Sequence, residues 1–167
     1  SYKLDVMQQI YAVCNSLTII DHHKTAIDGL QEWANGIKEN QSPITGKLDT
    51  SFDLEHSGAM LAWLYYFPGQ EPPKLIKHVE DRDLWRFKIP YTREIQAAVF
   101  SYPYDFETWD KLMQPWMIDE LISGGAAIER KHHKDIAELV KVCARWTWIS
   151  NFYVPIASLP YTLTSDA

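Results

Sequence analysis

Asp21-His22-His23 is the densest group of potential metal ligands and proton carriers in the chain. A neutral imidazole nitrogen binds Mn, Zn, Fe or Co. A carboxylate beside it either ligates the same ion or holds the imidazole in one tautomer. The simpler role for Asp21 is a helix N-cap ahead of Lys24. A second group, Asp81-Arg82-Asp83, places two carboxylates around a guanidinium; it can close a metal site or lie on a solvated surface. The third is Glu55-His56-Ser57-Gly58-Ala59. Small residues at a helix start allow a close backbone approach, and the positive helix end favours a phosphate, with His56 facing the same crevice. The competing role is a capped helix that packs tightly. In Lys131-His132-His133-Lys134, adjacent histidines on a helix point in different directions, so this stretch reads as a solvated face. His78 reads as structural. There is no phosphate-binding loop, dinucleotide-binding glycine pattern, zinc-finger spacing or nucleophile elbow.

The elements that must position these groups follow from periodicity. Apolar residues Leu4, Met7, Ile10, Tyr11 and Cys14 recur at helical spacing over residues 4–15. The run Leu17-Thr18-Ile19-Ile20 predicts a buried strand that ends at the Asp21 triplet. A helix follows over residues 25–37, with Ala26, Leu30, Trp33 and Ala34 on one face. Residues 38–53 read as a surface loop with a short strand at 47–52. Asp53 or Ser57 caps the next helix, which ends at Pro68-Gly69. Pro72-Pro73 opens a short helix through Leu75, Ile76 and Val79. Thr92 is expected to cap a helix through Ile95, Ala98 and Val99, and another begins near Asp105. Pro115 opens a long helix to about Trp146, with a break or close contact at Gly124-Gly125. Residues 151–156 read as a last strand. A helix, strand, polar tip and helix in succession describe an α/β sheet, with ligands expected at the strand end.

The chain has 167 residues, 46% of them hydrophobic and 23% charged, which fits one globular domain. Its formal net charge of −6 argues against a duplex-DNA binder, which needs a basic face. It is compatible with a hydrolase of small phosphorylated substrates, because carboxylates build metal sites. The seven tryptophans are expected mostly to pack in the core, with Trp85 among those able to stack a base. Cys14 and Cys143 read as buried free thiols of a reducing compartment, so a cytoplasmic location is expected. No apolar run approaches a membrane span.

The stretch Ile19-Ile20-Asp21-His22-His23-Lys24-Thr25-Ala26 resembles the third motif of the DHH phosphoesterases. Ser57-Gly58-Ala59-Met60-Leu61-Ala62-Trp63 and Val79-Glu80-Asp81-Arg82-Asp83-Leu84-Trp85 resemble stretches of the short bacterial and archaeal members, as do Ser101-Tyr102-Pro103 and Trp109-Asp110. The resemblance implies an α/β fold with a parallel-sheet Rossmann-like DHH domain, of which this chain is a helix-rich, incomplete portion. Residues 1–120 would be the C-terminal part of the catalytic domain, 121–150 a long connecting helix, and 151–167 the start of the linker to the companion DHHA1 domain. The family's first two motifs and its C-terminal glycine-rich motif have no counterpart here, so the chain is expected to come from the middle of a longer enzyme.

By position, the resemblance implies that His22 and Asp81 ligate metal, with Asp83 as the fallback for Asp81. Asp21 resembles the acid that supports the site and His23 the histidine that contacts the scissile phosphate. Arg82 and His56 are further candidates. Two divalent ions are implied, Mn²⁺ first, with Mg²⁺ or Co²⁺ as substitutes. The implied activity is hydrolysis of phosphodiester bonds in small nucleotides or short oligonucleotides by a metal-activated water. The partners are then the substrate and a second copy of the chain, without duplex DNA or membrane. The rival expectation is a non-catalytic nucleotide-binding or scaffold module that keeps the fold.

Overall fold

The computed structural model describes residues 3–40 and 47–158. Helix α1 (Leu4–Val13) leads into strand β1 (Leu17–Asp21), helix α2 (Lys24–Glu39) and strand β2 (Leu48–Phe52). The two strands pair in parallel, with Leu17 opposite Leu48 and Asp21 opposite Phe52. This is a βαβ unit, and the strand expected within 47–52 is one of its two strands. Its apolar faces close on one cluster: Met7, Ile19, Leu30, Ala34 and Leu48 are buried, with Tyr11 and Trp33 packed edge to face against it. Parallel pairing needs a crossover connection, and α2 supplies it.

The rest is mainly helical: α3 (Gly58–Tyr66), α4 (Lys74–Asp83), α5 (Thr92–Val99), α6 (Phe106–Leu112) and α7 (Met117–Cys143). A second cluster forms here, with Leu75, Ile95, Val99, Leu112, Ile118 and Leu121 buried. Helix α3 packs against both β1 and α4 and so joins the two clusters. The fold is therefore mixed α/β and helix-rich, with a small parallel sheet of two strands among the described residues. No helix among the described residues is long and apolar enough to cross a membrane.

Four expectations change. Thr92 is not the cap of α5 but its first residue, and Tyr91, at φ 69°, holds the cap position. The Thr92 hydroxyl is instead turned to Asp81, which takes priority because that carboxylate is buried. The long helix stops at Cys143, and Arg145–Ile149 forms a strand (β3) paired antiparallel with β4 (Phe152–Ile156). The alternation of Arg145, Trp146, Thr147 and Trp148 is a strand pattern that the helical reading overran. A two-residue turn joins the strands, with Ser150 at φ 52°. The thiols differ as well: Cys14 is half-buried and Cys143 exposed, because the last turn of α7 has left the core. Most tryptophans do not pack inside either: Trp116, Trp146 and Trp148 are exposed, as is Trp85.

At Gly124-Gly125 the helix continues unbroken, and the close contact is at Gly125. A Cβ there would lie 1.7 Å from the carbonyl oxygen of Glu94 on α5. Gly124 faces open space. Gly125→Ala should lower the unfolding free energy by roughly 2–3 kcal/mol, because backbone must move to make room. Gly124→Ala should instead raise it by up to about 1 kcal/mol through helix propensity. Urea midpoints for the two variants check both signs.

Candidate functional site

The triplet sits at the C-terminal end of a parallel strand, where side chains rise from a fixed backbone into the space beyond the sheet. Asp21 Oδ1 accepts the His23 backbone N–H at 2.8 Å and lies 2.9 Å from His23 Nδ1. This contact fixes a ring proton on Nδ1 and leaves Nε2 of His23 facing outward. Burial alone would raise the Asp21 carboxyl, but the His23 N–H, the His23 ring and the His22 N–H outweigh it and hold it below the usual carboxylate range. Asp21 thus positions His23, which is mostly exposed, while its neighbour His22 is mostly covered. The two imidazoles lie 4.1 Å apart between centroids.

His22 meets a different carboxylate. Its Nε2 is 3.4 Å from Asp83 Oδ2, at the end of α4. A Cβ on Gly58 would lie 3.6 Å from His22 Cδ2, so the start of α3 walls the same ring. His22 and Asp83 are therefore brought together across the seam between the two clusters. Asp81 is not part of this pair. It continues the row Leu75, His78 along α4, three residues apart, and that row is buried.

Asp81 is 4% exposed and fully engaged. Its carboxylate accepts the Lys88 N–H at 2.8 Å, the Ile89 N–H at 3.0 Å and the Thr92 hydroxyl at 2.7 Å. Its main-chain carbonyl accepts from Arg86 and Phe87. Burial pushes its carboxyl up, but the Thr92, Lys88 and Ile89 donors and nearby His78 prevail and hold it low. His78, buried and 3.0 Å from the Thr92 hydroxyl, has the structural place expected for it, and burial lowers its imidazole's pKa.

Glu80 is a residue that the sequence reading passed over. Its Oε2 accepts the Ser57 N–H at 3.0 Å and lies 3.1 Å from His56 Nδ1. Arg86 donates to the Glu55 carbonyl at 2.8 Å and reaches towards Glu80. Ser57 is fully buried and caps α3 through the Met60 N–H. The positive end of α3 thus already faces a carboxylate, which weakens the case for a phosphate at Ser57-Gly58. The spacing of Glu80 and Asp83, three apart on one helix face, was the available signal. His56 is tied to Glu80, and the Arg82 guanidinium lies over the Phe100 ring, 4.7 Å from its centroid. His133 lies on the solvated face of α7 expected for it, with the Lys131–Asp135 and Lys134–Glu138 pairs, whereas His132 is half-buried and set beside α5 instead. Among the described residues, no three His, Cys, Asp or Glu side chains stand close enough together to hold a metal by themselves.

A protein of the Acanthamoeba polyphaga mimivirus, described as an uncharacterized protein, is similar to this chain: 32% identical over 126 residues. The match covers 75% of this chain and 27% of that protein, so the chain spans about a quarter of its relative's length. No family model matches the chain, and no solved structure matches it.

Asp81→Asn should cost roughly 2–3 kcal/mol of stability, since an amide cannot accept from three donors as a carboxylate does. The depressed carboxyls of Asp81 and Asp21 contribute stability that is present above the usual carboxylate range and lost as pH falls through their lowered values. Acid unfolding followed by circular dichroism should therefore be shallower in Asp81→Asn than in wild type. An equal slope would show that Asp81 is not a source of the acid sensitivity.

Proposed function

We propose that this chain is part of the catalytic domain of a DHH-type phosphoesterase that hydrolyses phosphodiester bonds in small nucleotides or short oligonucleotides. The observation that carries this reading is the convergence of His22 and Asp83 beyond the end of β1. An imidazole and a carboxylate at that separation form half of a mixed nitrogen and oxygen ligand set, which suits Mn²⁺. The fit to a metal is partial, and full coordination calls for ligands outside the described residues. Metal ions bound there would supply an activated water and neutralise charge on the phosphoryl group.

The chain's own residues have separable tasks. His22 and Asp83 hold metal, with Asp83 in the place that the family resemblance implies for Asp81. Asp21 fixes the ring of His23, whose exposed Nε2 can donate to a phosphoryl oxygen when protonated. Glu80 and Arg86 brace the 55–57 segment that walls the site. Asp81 keeps α4 and α5 in register, so that Asp83 ends at His22.

In the intact protein, His22→Ala should abolish Mn²⁺-dependent cleavage of a dinucleotide, and Asp83→Asn should weaken Mn²⁺ binding by at least about 10- to 100-fold. Asp81→Asn should lower the melting temperature while leaving the metal stoichiometry intact. Calorimetry with Mn²⁺ and a dinucleotide hydrolysis assay check all three. Near-wild-type turnover in His22→Ala would sink the assignment. Nucleotide binding without metal uptake or turnover in the wild type would move the protein to the non-catalytic class.

A further inference from the structure

A cavity of about 300 Å³ opens elsewhere, lined by Arg82 from α4, Trp85 and Phe87 from the α4–α5 loop, and Arg93, Gln96 and Phe100 from α5. Helix α7 closes it with Ile128, Glu129 and His132. Asp21, His22, His23 and Asp83 do not line it. Its size is at the lower end for small-molecule sites.

Three independent features of its wall point to a ligand. Gln96 is only 5% exposed, and among the described residues its side-chain nitrogen has no hydrogen-bond partner. A buried donor left unpaired is costly, and a ligand acceptor in the cavity would relieve it on a turn of the Gln96 amide towards the cavity. Arg82 stacks on Phe100 and Arg93 on Phe87, with guanidinium carbons 4.7 Å and 3.9 Å from the ring centroids. Among the described residues neither guanidinium has a carboxylate partner. Stacking uses their faces and leaves the N–H edges for an anion. Glu129, the one carboxylate of the wall, is 2.9 Å from His133 Nε2.

The loop itself is strained. Trp85 and Phe87 stand at φ 54° and 47°, and Tyr91 at φ 69° closes the segment. Non-glycine residues in the left-handed region persist only where their surroundings impose it, and they cluster at ligand sites. Here Asp81 imposes it, through the bonds to Lys88 and Ile89. The result is Trp85 at 60% exposure on the rim of the cavity, an aromatic face held towards solvent.

We infer that this cavity is a binding site for a free nucleoside monophosphate, distinct from the His22–Asp83 pair. The planar base lies against Trp85 and the other rings, Gln96 donates to a base acceptor, and Arg82 and Arg93 hold the phosphate. The inference does not depend on phosphodiester hydrolysis.

The test is calorimetric titration of the protein, without added metal, with each of the four nucleoside 5′-monophosphates, and separately with adenosine and inorganic phosphate. At least one monophosphate should bind saturably and more tightly than either fragment. Arg93→Ala and Gln96→Leu should each weaken it by about tenfold or more. Gln96→Leu removes an unpaired buried donor, so it should melt no lower than wild type, which separates lost binding from lost folding. His22→Ala and Asp83→Asn should leave affinity unchanged. No saturable binding, equal affinity for inorganic phosphate alone, or loss in His22→Ala equal to that in Gln96→Leu each overturns the inference. Monophosphate binding intact in His22→Ala upholds it whatever the fate of the enzyme reading.

Discussion

The buried carboxylate of Asp81 is the constraint on which the surroundings depend. It takes three donors from the segment that joins α4 to α5, and its own main-chain carbonyl takes two more. A charged group this far from water survives because every lone pair that matters is occupied. The consequence is directional. With the helix end and the following turn locked together, Asp83 is presented on one side of α4 towards His22, and Arg82 on another towards Phe100. Two chemically different surfaces thus share one anchor.

The seam between the two hydrophobic clusters explains where polar chemistry accumulates. The cluster of the βαβ unit and that of the helical part are each built of buried apolar side chains. Between them run the tip of β1, the start of α3 and one face of α4. Backbone groups at a strand end and at a helix start lack partners in their own elements. Side chains such as Ser57 and Glu80 supply them. That need fixes Glu80 as firmly as any role in catalysis would.

Much of this was legible in the sequence. The β1 strand was marked by its apolar run, the start of α3 by Asp53 or Ser57, of which Ser57 is the cap, and the start of α6 by Asp105, each through a local rule. The parallel partner of β1 was visible only as a short strand in a turn-rich stretch, because its polar composition hides its buried residue Leu48. What was not legible depended on distant contacts. Asp81 and Asp83 look equivalent in the string, and only the position of α5 makes one an anchor and leaves the other free to face His22. Thr92 has the composition of a cap but answers to a carboxylate eleven residues earlier. The hairpin of β3 and β4 was half lost because Trp146 also satisfied the helical spacing of α7.

The missing side chain at Gly125 bears on kinetics. Where α7 touches the main chain of Glu94, the two helices meet backbone to backbone. A contact of that kind does not part without breaking the packing of Ile118 and Leu121 along with it. Traffic into the space between α5 and α7 therefore cannot rely on the helices spreading. It has to pass by rotation of surface side chains at the mouth, above all Trp85. Such rotations take picoseconds to nanoseconds, several decades less than a collective opening of the two helices.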